Sequence, residues 1–311
     1  MQSSLSKIVA WFDSYAVDAS FDETSSRIEL LRVLPFIIIH LSVLLVFWTG
    51  VSWVAFITAV VLYIVRMFAI TGFYHRYFSH RAFKTSRPVQ FIFALLGNAA
   101  GQRSPLWWAA HHRHHHKNTD TPEDTHSPVL YGFWWSHLLW FMANRNYKTR
   151  LNEIKDYAVY PELIFLDRFD SLAPLSLLVL LLLSGWLLGR YFTGLHTNAL
   201  QMAVWGFSIS TVVLYHATFT INSLSHMFGR RRYDTHDHSR NNWFLAILTL
   251  GEGWHNNHHH YAGSARQGFF WWEYDPTFYI LKLMALLGLV YGLKPVPDRK
   301  RFAPEQKPVY D

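Results

Sequence analysis

The chain has 311 residues, of which 51% are hydrophobic, 17% aromatic and only 16% charged, a composition that indicates a membrane protein. It contains no cysteine, which excludes disulfides, iron-sulfur clusters, thiolate zinc sites and cysteine nucleophiles. The net charge of +7 suits anionic lipid headgroups or a phosphorylated substrate, and because the basic residues alternate with apolar segments, nothing indicates nucleic acid.

The first third of the chain predicts a pair of membrane-spanning helices. Residues 1–32 lack the charged start, apolar core and cleavage site of a secretory signal peptide, so we expect none. From Val33 to Val65 there is no Asp, Glu, Lys or Arg, and one helix of that length, about 50 Å, would exceed the roughly 30 Å hydrocarbon core. We therefore predict two spans, at about 30–48 and 52–72, joined at Thr49-Gly50. His40, inside the first, is expected to pack or to make a polar contact.

Two histidines follow the second predicted span, in Tyr74-His-Arg-Tyr-Phe-Ser-His80-Arg81. His75 and His80 are five residues apart, which on an α-helix places them roughly 140° from each other. They cannot both bind one ion from an undistorted helix face, so either the helix ends between them or they serve two metals. The next apolar stretch, Val89 to Ala100, is too short to span and predicts a buried or interfacial helix.

Five of the nine residues from Ala109 to Lys117 are histidine. The run is internal and interrupted by Arg113, unlike an expression tag. His112, His115 and His116 stand at i, i+3 and i+4, so on a helix they project from one face and are predicted to hold one metal site. Neutral imidazole binds iron, zinc, copper and nickel.

Beyond a charged connection at 144–170, a second pair of spans is predicted at about 172–189 and 199–221. Lys and Arg are dense before the first pair of helices, between the two pairs and after the fourth helix. They are sparse in the two short links that join the helices of each pair. The positive-inside rule therefore places both termini and every histidine cluster on the cytoplasmic side. The predicted fold is an all-α integral membrane protein of one domain, 1–311, with four spans in two hairpins and a cytoplasmic helical cap formed by 73–170 and 222–311.

The last third repeats the histidine spacing of the second cluster. After Asn222-Ser-Leu-Ser-His226, the run Gly251-Glu-Gly-Trp-His-Asn-Asn-His-His-His260 again has histidines at i, i+3 and i+4. The spaced histidines are nine in all: His75, His80, His112, His115, His116, His226, His255, His258 and His259.

Nine imidazoles are too many for one tetrahedral zinc, whereas two metals with four or five nitrogens each would use them all. A nitrogen-rich pair of redox metals beside a bilayer predicts oxygen activation on a lipid-like substrate, with iron favoured. Zinc would replace ferrous iron on overproduction, because nitrogen sites bind it more tightly.

A ferritin-like di-iron site, built from Glu-x-x-His pairs on bundle helices, is the alternative to exclude. Glu123 and His126 form one such pair, and Glu252 and His255 form another. Prolines bracket the first pair and glycines bracket Glu252, so neither context predicts the middle of a bundle helix. We interpret both matches as fortuitous.

Together these motifs resemble those of the membrane fatty acyl desaturase family, and most of all its bacterial acyl-CoA desaturases of the stearoyl-CoA type. The likeness rests on Tyr74–Phe83, Trp108–Lys117, Asn222–His226 and Gly251–His259, and runs from about Pro35 to Leu293. The resemblance implies four spans in the bacterial cytoplasmic membrane and a cytoplasmic cap that holds two irons above an acyl tunnel. By the same resemblance, the nine histidines are the iron ligands, and Asn222 reaches a metal through water.

The activity implied by the resemblance is acyl-CoA Δ9 desaturation, with O2 as co-substrate reduced to water. Electrons would come from an external donor such as a ferredoxin, a rubredoxin or a b-type cytochrome with its reductase. Desaturation of chains already esterified in phospholipid, and hydroxylation at a membrane di-iron site, are the alternatives. A histidine-rich metal transporter would place its ligands at the centres of the spans, where the clusters do not lie.

The remaining histidines carry weaker predictions. His111, His114 and His260 flank ligand positions and are expected to have supporting or surface roles, while His126 and His137 match positions near the family's active site without being ligands. His196 and His216 are expected to be structural.

One departure from the family pattern concerns the substrate headgroup. Animal members have Arg-Asp just before the second histidine motif, where this chain has Ala110-His111, so a headgroup contact is missing or replaced. The predicted replacements are basic residues of the cap: Arg145, Lys148, Arg230, Arg231 and Arg232.

Overall fold

Four long apolar helices dominate the computed structural model, which describes residues 12–16, 24–28 and 30–303. Their spanning segments are Arg32–Thr49, Trp53–Ser79, Leu172–Tyr191 and Ala199–Met227, hereafter the first to fourth spans. All four are long and apolar enough to cross a bilayer, which confirms the predicted number of spans. The expectation of no signal peptide, and the side on which the termini lie, concern residues mostly or wholly outside the described ranges.

The described helices are, in chain order, α1 (Leu30–Ser42), α2 (Val46–Thr49), α3 (Trp53–Phe68), α4 (Arg87–Asn98), α5 (Pro105–Asn118), α6 (Pro128–Trp134), α7 (Trp140–Met142), α8 (Pro161–Arg168), α9 (Leu172–Tyr191), α10 (Ala199–Met202), α11 (Ser210–Asn222), α12 (Leu224–Met227), α13 (Trp243–Leu248), α14 (His255–His260), α15 (Pro276–Leu286) and α16 (Asp298–Arg301). Three π-helical segments continue or join them, at Ala69–Ser79, Trp135–Leu139 and Ala203–Ile209. Short 3-10 turns lie at Val43–Leu45, Asn144–Asn146, Leu151–Glu153 and Thr193–Leu195. Lys84–Thr85 and Val290–Tyr291 form an antiparallel pair, β1 and β2, a minor departure from the all-α prediction.

The fourth span is the one against which the other three pack. Ala55 of the second span, Leu181 of the third, and Met202 and Phe207 of the fourth form one buried cluster. Trp205 donates its indole N–H to the carbonyl of Gly50, at 2.8 Å, in the link between the first two spans. The grouping of the spans into two hairpins stays a prediction, because the packing centres on the fourth span.

A buried arginine joins the second span to the fourth and to the cap. Arg66 is 1% exposed, and its guanidinium donates to Ser210 Oγ at 2.6 Å, Thr211 Oγ1 at 2.8 Å and the carbonyl of Ala99 at 3.1 Å. A buried charge is tolerated only where its donors are satisfied. The contact to Ala99 fixes the end of α4 against the spans.

Helix α4 is the short apolar helix predicted between Val89 and Ala100. It packs along the π-helical end of the second span, where Tyr77 donates its hydroxyl to Gln90 Oε1 at 2.8 Å. A Cβ at Gly97 would lie 2.3 Å from the Tyr74 ring, so glycine permits this close approach. The prediction of a helix that does not span is confirmed, and its buried side belongs to the main core of the cap.

Candidate metal centre

The π-helix at the end of the second span explains how His75 and His80 meet. The second span was predicted to end near residue 72, but it continues to Ser79 with hydrogen bonds of i→i+5 type. The His80 N–H donates to the carbonyl of His75 at 3.2 Å, so residues five apart lie about one turn apart. Both imidazoles therefore enter one cluster. Of the two alternatives drawn from α-helical geometry, the first is correct, because the helix ends at Ser79, between the two histidines. The second, that they serve two metals, is wrong, because one metal group receives both residues.

Helix α5 carries the second cluster, and its start is fixed by an N-terminal cap. Ser104 accepts from the backbone N–H of Trp107 at 2.9 Å, and Pro105 occupies the first helical position. Around the axis of this helix, side chains four residues apart point in directions that differ by about 40°. Side chains three residues apart differ by about 60° in the opposite sense. His112 and His116 consequently share one metal group, while His115 turns to another, which corrects the prediction that all three hold one site.

Helix α14 is only six residues long, and its asparagines hold it in place. Asn256 Oδ1 accepts from the backbone N–H groups of Arg232 and Tyr233 at 2.8 and 2.7 Å. Asn257 Nδ2 donates to Glu273 at 2.8 Å. So short a helix has little stability of its own. These bonds fix the directions in which its histidines point, a role that the sequence analysis did not assign to Asn256 or Asn257.

The nine predicted histidines converge into two adjacent groups. The first group, called group A here, comprises His75, His80, His112, His116 and His258, and the second, group B, comprises His115, His226, His255 and His259. Within each group, the nitrogens that would face a metal all lie within 4.8 Å of one another.

The two groups share their supporting helices. In group A, His258 Nε2 lies 3.0 Å from His75 Nε2 and 2.8 Å from His116 Nε2. In group B, the Nε2 atoms of His226 and His255 are 3.0 Å apart. Because α5 and α14 each supply residues to both groups, the groups lie side by side.

Carboxylates bind the outward nitrogens of three of these histidines. The Nδ1–H of His75 donates to Glu252, that of His115 to Asp124 at 3.0 Å, and that of His259 to Asp237 at 2.7 Å. Such partners fix the tautomer and direct the other nitrogen inward, as they do around bound metals. Three nitrogens of group B are buried without a hydrogen-bond partner among the described residues: His226 Nδ1, His255 Nδ1 and His259 Nε2.

The surroundings keep most of these imidazoles neutral. Burial, followed by repulsion from neighbouring imidazoles, lowers the pKa of His80, His112, His116, His255 and His258 far below 6.5. Burial lowers the pKa of His259 to about 4, against the opposing hydrogen bond to Asp237. At His115, burial is outweighed by Asp124, which raises the net pKa. Neutral imidazoles facing one another, each with a lone pair, fit metal ions as ligands.

Sequence reasoning missed the carboxylates. Glu252 had been considered only as part of a Glu-x-x-His pair, and the structure shows it bound to His75 and, at 3.0 Å, to Arg76. Asp124 and Asp237 had no assigned role. A usable signal existed, because metal-bound histidines commonly donate their second N–H to a carboxylate, and these acids lie between or beside the histidine motifs.

The other histidines lie around the centre. His126 stacks on His115 with ring centroids 4.2 Å apart and, with Asp124, forms a third compact group with His115. Since Asp124 already binds His115 Nδ1, we interpret this group as support for group B. His111 donates from Nδ1 to the carbonyl of Trp107 at 2.9 Å and is fully buried, while His114 contacts the carbonyl of Glu123.

Three further histidines form a chain away from the metal centre. His137 Nε2 lies 3.0 Å from His216 Nδ1, and His216 Nε2 lies 3.2 Å from His40 Nε2. The polar contact expected of His40 is therefore present. His260 stacks on Tyr233, and His196 is exposed in the link between the third and fourth spans.

A cavity of about 280 Å³ leads to the histidines from the boundary between spans and cap. Its wall includes Trp108 and His112 of α5, and Asn222 at the end of α11. A smaller cavity of about 30 Å³ also adjoins the centre, and Asn222 lines this one too. Asn222 therefore lies beside the groups as predicted, and its role through water stays a prediction.

None of the five basic residues predicted to bind the headgroup lines this cavity. Arg145 lies over the Trp135 ring at 5.0 Å, and Arg232 forms an ion pair with buried Glu273. Arg231 donates to the carbonyl of Thr235 at 2.8 Å, while Arg230 and Lys148 are exposed. Contacts of these residues with a headgroup farther out stay a prediction.

Known proteins resemble the chain over most of its length. A fatty acid desaturase family model matches residues 51–293. An acyl-CoA 5-desaturase of Anemone leveillei is 40% identical over 78% of this chain and 73% of its own. An sn-1 stearoyl-lipid 9-desaturase of Anabaena variabilis is 36% identical over 89% of this chain and 98% of its own. The Delta-9 acyl-lipid desaturase 1 of Arabidopsis thaliana is 35% identical over 91% and 89%, respectively.

Proposed function

Because the chain belongs to the fatty acid desaturase family, and is accordingly an oxidoreductase of lipid metabolism, we propose that it inserts a cis double bond at the Δ9 position of saturated long acyl chains. The observation that carries the proposal is the convergence of nine buried or partly buried histidines into two adjacent groups beside a cavity with mostly apolar and aromatic walls. Two of the relatives are named as 9-desaturases, which supports the position of the double bond.

The proposed cofactor is a pair of iron ions, one in each histidine group. Five and four imidazole nitrogens, with no thiolate in the chain, fit two nitrogen-bound redox metals. Bound iron would supply the oxidising power: one O2, two electrons and two protons convert two adjacent methylenes into an alkene and two waters. The nine histidines are the proposed ligands, and zinc would occupy the same nitrogens if it displaced iron.

The protein's own residues hold and align the reactants. Glu252, Asp124 and Asp237 keep three imidazoles in the tautomer that faces the metal. Trp108 stacks on His112 with centroids 5.0 Å apart and lines both cavities, so an acyl chain passing between them would lie against its ring. The apolar walls exclude water and limit the chain to few orientations, which lowers the entropic cost of reaction.

The remaining proposals concern topology and partners. We place the histidine centre and both termini on the cytoplasmic side, following the distribution of Lys and Arg, and treat the chain as a single membrane domain. The electron donor is a separate protein such as a ferredoxin, a rubredoxin or a b-type cytochrome. The acyl carrier is either CoA, favoured by the bacterial resemblance, or a membrane lipid; the relatives' names include both.

Product analysis tests the proposed reaction. Expression in a host that lacks its own desaturase should give cis-Δ9 monounsaturated fatty acids, identified by mass spectrometry after derivatisation of the double bond. The variant His116→Ala should give none while still accumulating as folded protein in the membrane. Hydroxylated fatty acids in place of alkenes would show that the centre is a hydroxylase, and an active His116→Ala variant would refute the ligand role of His116.

A further inference from the structure

Two arginines and one aspartate are the charged side chains that line the rim of the larger cavity, apart from its histidines, among the described residues. The Tyr147 ring lies between the guanidinium groups, 4.0 Å from that of Arg32 and 4.3 Å from that of Arg103. Arg103 Nε lies 2.6 Å from Asp170 Oδ2. The rim therefore presents two guanidinium groups and one carboxylate, in a cavity whose other walls are mostly apolar or aromatic.

The rim is held in a defined geometry. Arg103 has a φ of +67°, a conformation that side chains other than glycine rarely adopt. Its carbonyl accepts from Asn98 Nδ2 at 3.1 Å and from the Tyr74 hydroxyl at 3.3 Å, and its guanidinium donates to the carbonyl of Tyr147 at 3.2 Å. Backbone and side chain are thus both fixed, so Arg103 is placed before any ligand binds.

The rim lies where the spans meet the cap. Arg32 begins the first span, and Asp170 comes two residues before the third span, which begins at Leu172. At this level of a membrane protein, lipid headgroups surround the chain, and cationic side chains there attract their phosphates. The position of the rim therefore makes a lipid phosphate available to it without diffusion through water.

Below the rim, the cavity lies between helices that face the bilayer. Phe36 and Ile39 of the first span, Pro174 of the third and Phe207 of the fourth line it. Within the described residues, the first and third spans each pack on the fourth and have no extensive contact with each other. An acyl chain anchored in the bilayer can therefore enter between these two spans.

We propose that Arg32 and Arg103 bind the phosphate of a membrane glycerophospholipid whose saturated acyl chain occupies the cavity, so that the substrate is a lipid and not acyl-CoA. This inference rests on the proposed desaturase function and selects between its two carriers. Guanidinium groups bind phosphate through charge-assisted, often paired hydrogen bonds. The rim thereby sets how far the chain enters and which methylenes reach the histidine groups.

Three substrates with the same stearoyl chain test the proposal. Iron-loaded, reduced protein in nanodiscs of lipids that cannot be desaturated is given distearoyl-phosphatidylglycerol, distearoylglycerol or stearoyl-CoA, and the alkene is measured in each lipid class. The unmodified protein should prefer phosphatidylglycerol over distearoylglycerol, which has the same glycerol esters but no phosphate. Arg32→Gln should lower kcat/KM for phosphatidylglycerol by about tenfold or more, mainly through KM, because one charge-assisted contact is lost.

Matched variants separate binding from folding. Arg32→Gln should change the rate with distearoylglycerol by less than about twofold, and Arg32→Lys should retain most of the phosphate preference. Asp170→Asn, which raises the charge of the rim, should increase the preference for phosphatidylglycerol. Arg87→Gln removes an exposed ion pair with Glu162 outside the cavity and should change nothing.

Several results would overturn the proposal. Equal losses with phosphatidylglycerol and distearoylglycerol in Arg32→Gln, together with no gain in Asp170→Asn, would show that the rim does not bind phosphate. Desaturation of stearoyl-CoA but not of phosphatidylglycerol would select the other carrier and leave the desaturase function intact. If none of the three substrates yields an alkene, the desaturase function fails, and this inference fails with it.

Discussion

Replacing Glu252 by Gln tests whether a carboxylate outside the metal groups controls them. Glu252 is 6% exposed and accepts from the Nδ1–H of His75 and from Arg76 at 3.0 Å. Burial raises the pKa of this carboxyl, but the neighbouring His75 and Arg76 lower it more strongly. The net pKa is therefore lowered, and the carboxyl is ionised in the folded protein. The amide of Gln keeps the size but loses the charge, and its NH2 group must face either His75 or Arg76, both of which are donors.

The expected result is a loss of metal affinity in group A. Loss of such a partner typically weakens metal binding 10- to 100-fold, which corresponds to about 1.4–2.8 kcal/mol. Competition with chelators of graded affinity, followed by metal analysis of the retained protein, measures this change directly. Glu162→Gln, at an exposed ion pair with Arg87, is the matched control and should bind metal normally. Unchanged metal affinity in a folded Glu252→Gln protein would refute the reasoning.

Three further predictions concern the scaffold. A Cβ in Gly253→Ala would lie 2.1 Å from the backbone nitrogen of Ala246, so α14 must shift and both histidine groups should lose metal. Gly263→Ala, where the atom nearest to the added Cβ is 3.7 Å away, is the control. Equal metal content in the two variants would contradict this prediction. Metal-free protein should lose stability as the pH falls from about 6.5 to about 4. Burial lowers the pKa of His259 to about 4 in the folded protein, so the unfolded chain binds more protons in that interval. A melting temperature that stays constant over this pH range would be contrary evidence. Arg66→Leu removes the hydrogen-bond donors to Ser210, Thr211 and Ala99 and should destabilise the protein by about 3 kcal/mol. The change is measured as a lower denaturation midpoint in detergent. An unchanged midpoint would show that these hydrogen bonds add nothing to the stability of the fold.

The spans and the set of nine histidines were predictable because each depends on local sequence. A helix that crosses a bilayer needs about 20 apolar residues, and the chain shows four such segments without reference to tertiary structure. The histidines stand out because clusters at helical spacing are rare by chance. Both predictions used only residues near one another in the chain.

The division of the histidines between two groups was not predictable in the same way. An α-helical spacing placed His75 and His80 apart, and only the π-helix, whose i→i+5 bonds have no clear sequence signal, brings them together. His112 and His115 were assigned to one site because they share a helix face, yet His112 belongs to group A and His115 to group B. Such outcomes depend on how distant segments pack.

The carboxylates and the cavity rim were missed for a related reason. Asp237 and His259 are 22 residues apart, and Glu252 and His75 are 177 apart, so no local pattern joins them. The rim combines Arg32, Arg103 and Asp170 from three separate regions. The sequence pointed instead to runs of basic residues, which do not line the cavity.

The central claim is that two irons, one in each histidine group, act together on the acyl chain. Metal-free protein can be titrated with ferrous iron without oxygen, reduced, and exposed to O2 in a single turnover with a saturated substrate, and the alkene formed is plotted against iron bound per chain. The account predicts little alkene until more than one iron is bound per chain and a maximum at two. Full alkene yield at one iron per chain, or equal yield with zinc alone, would contradict it.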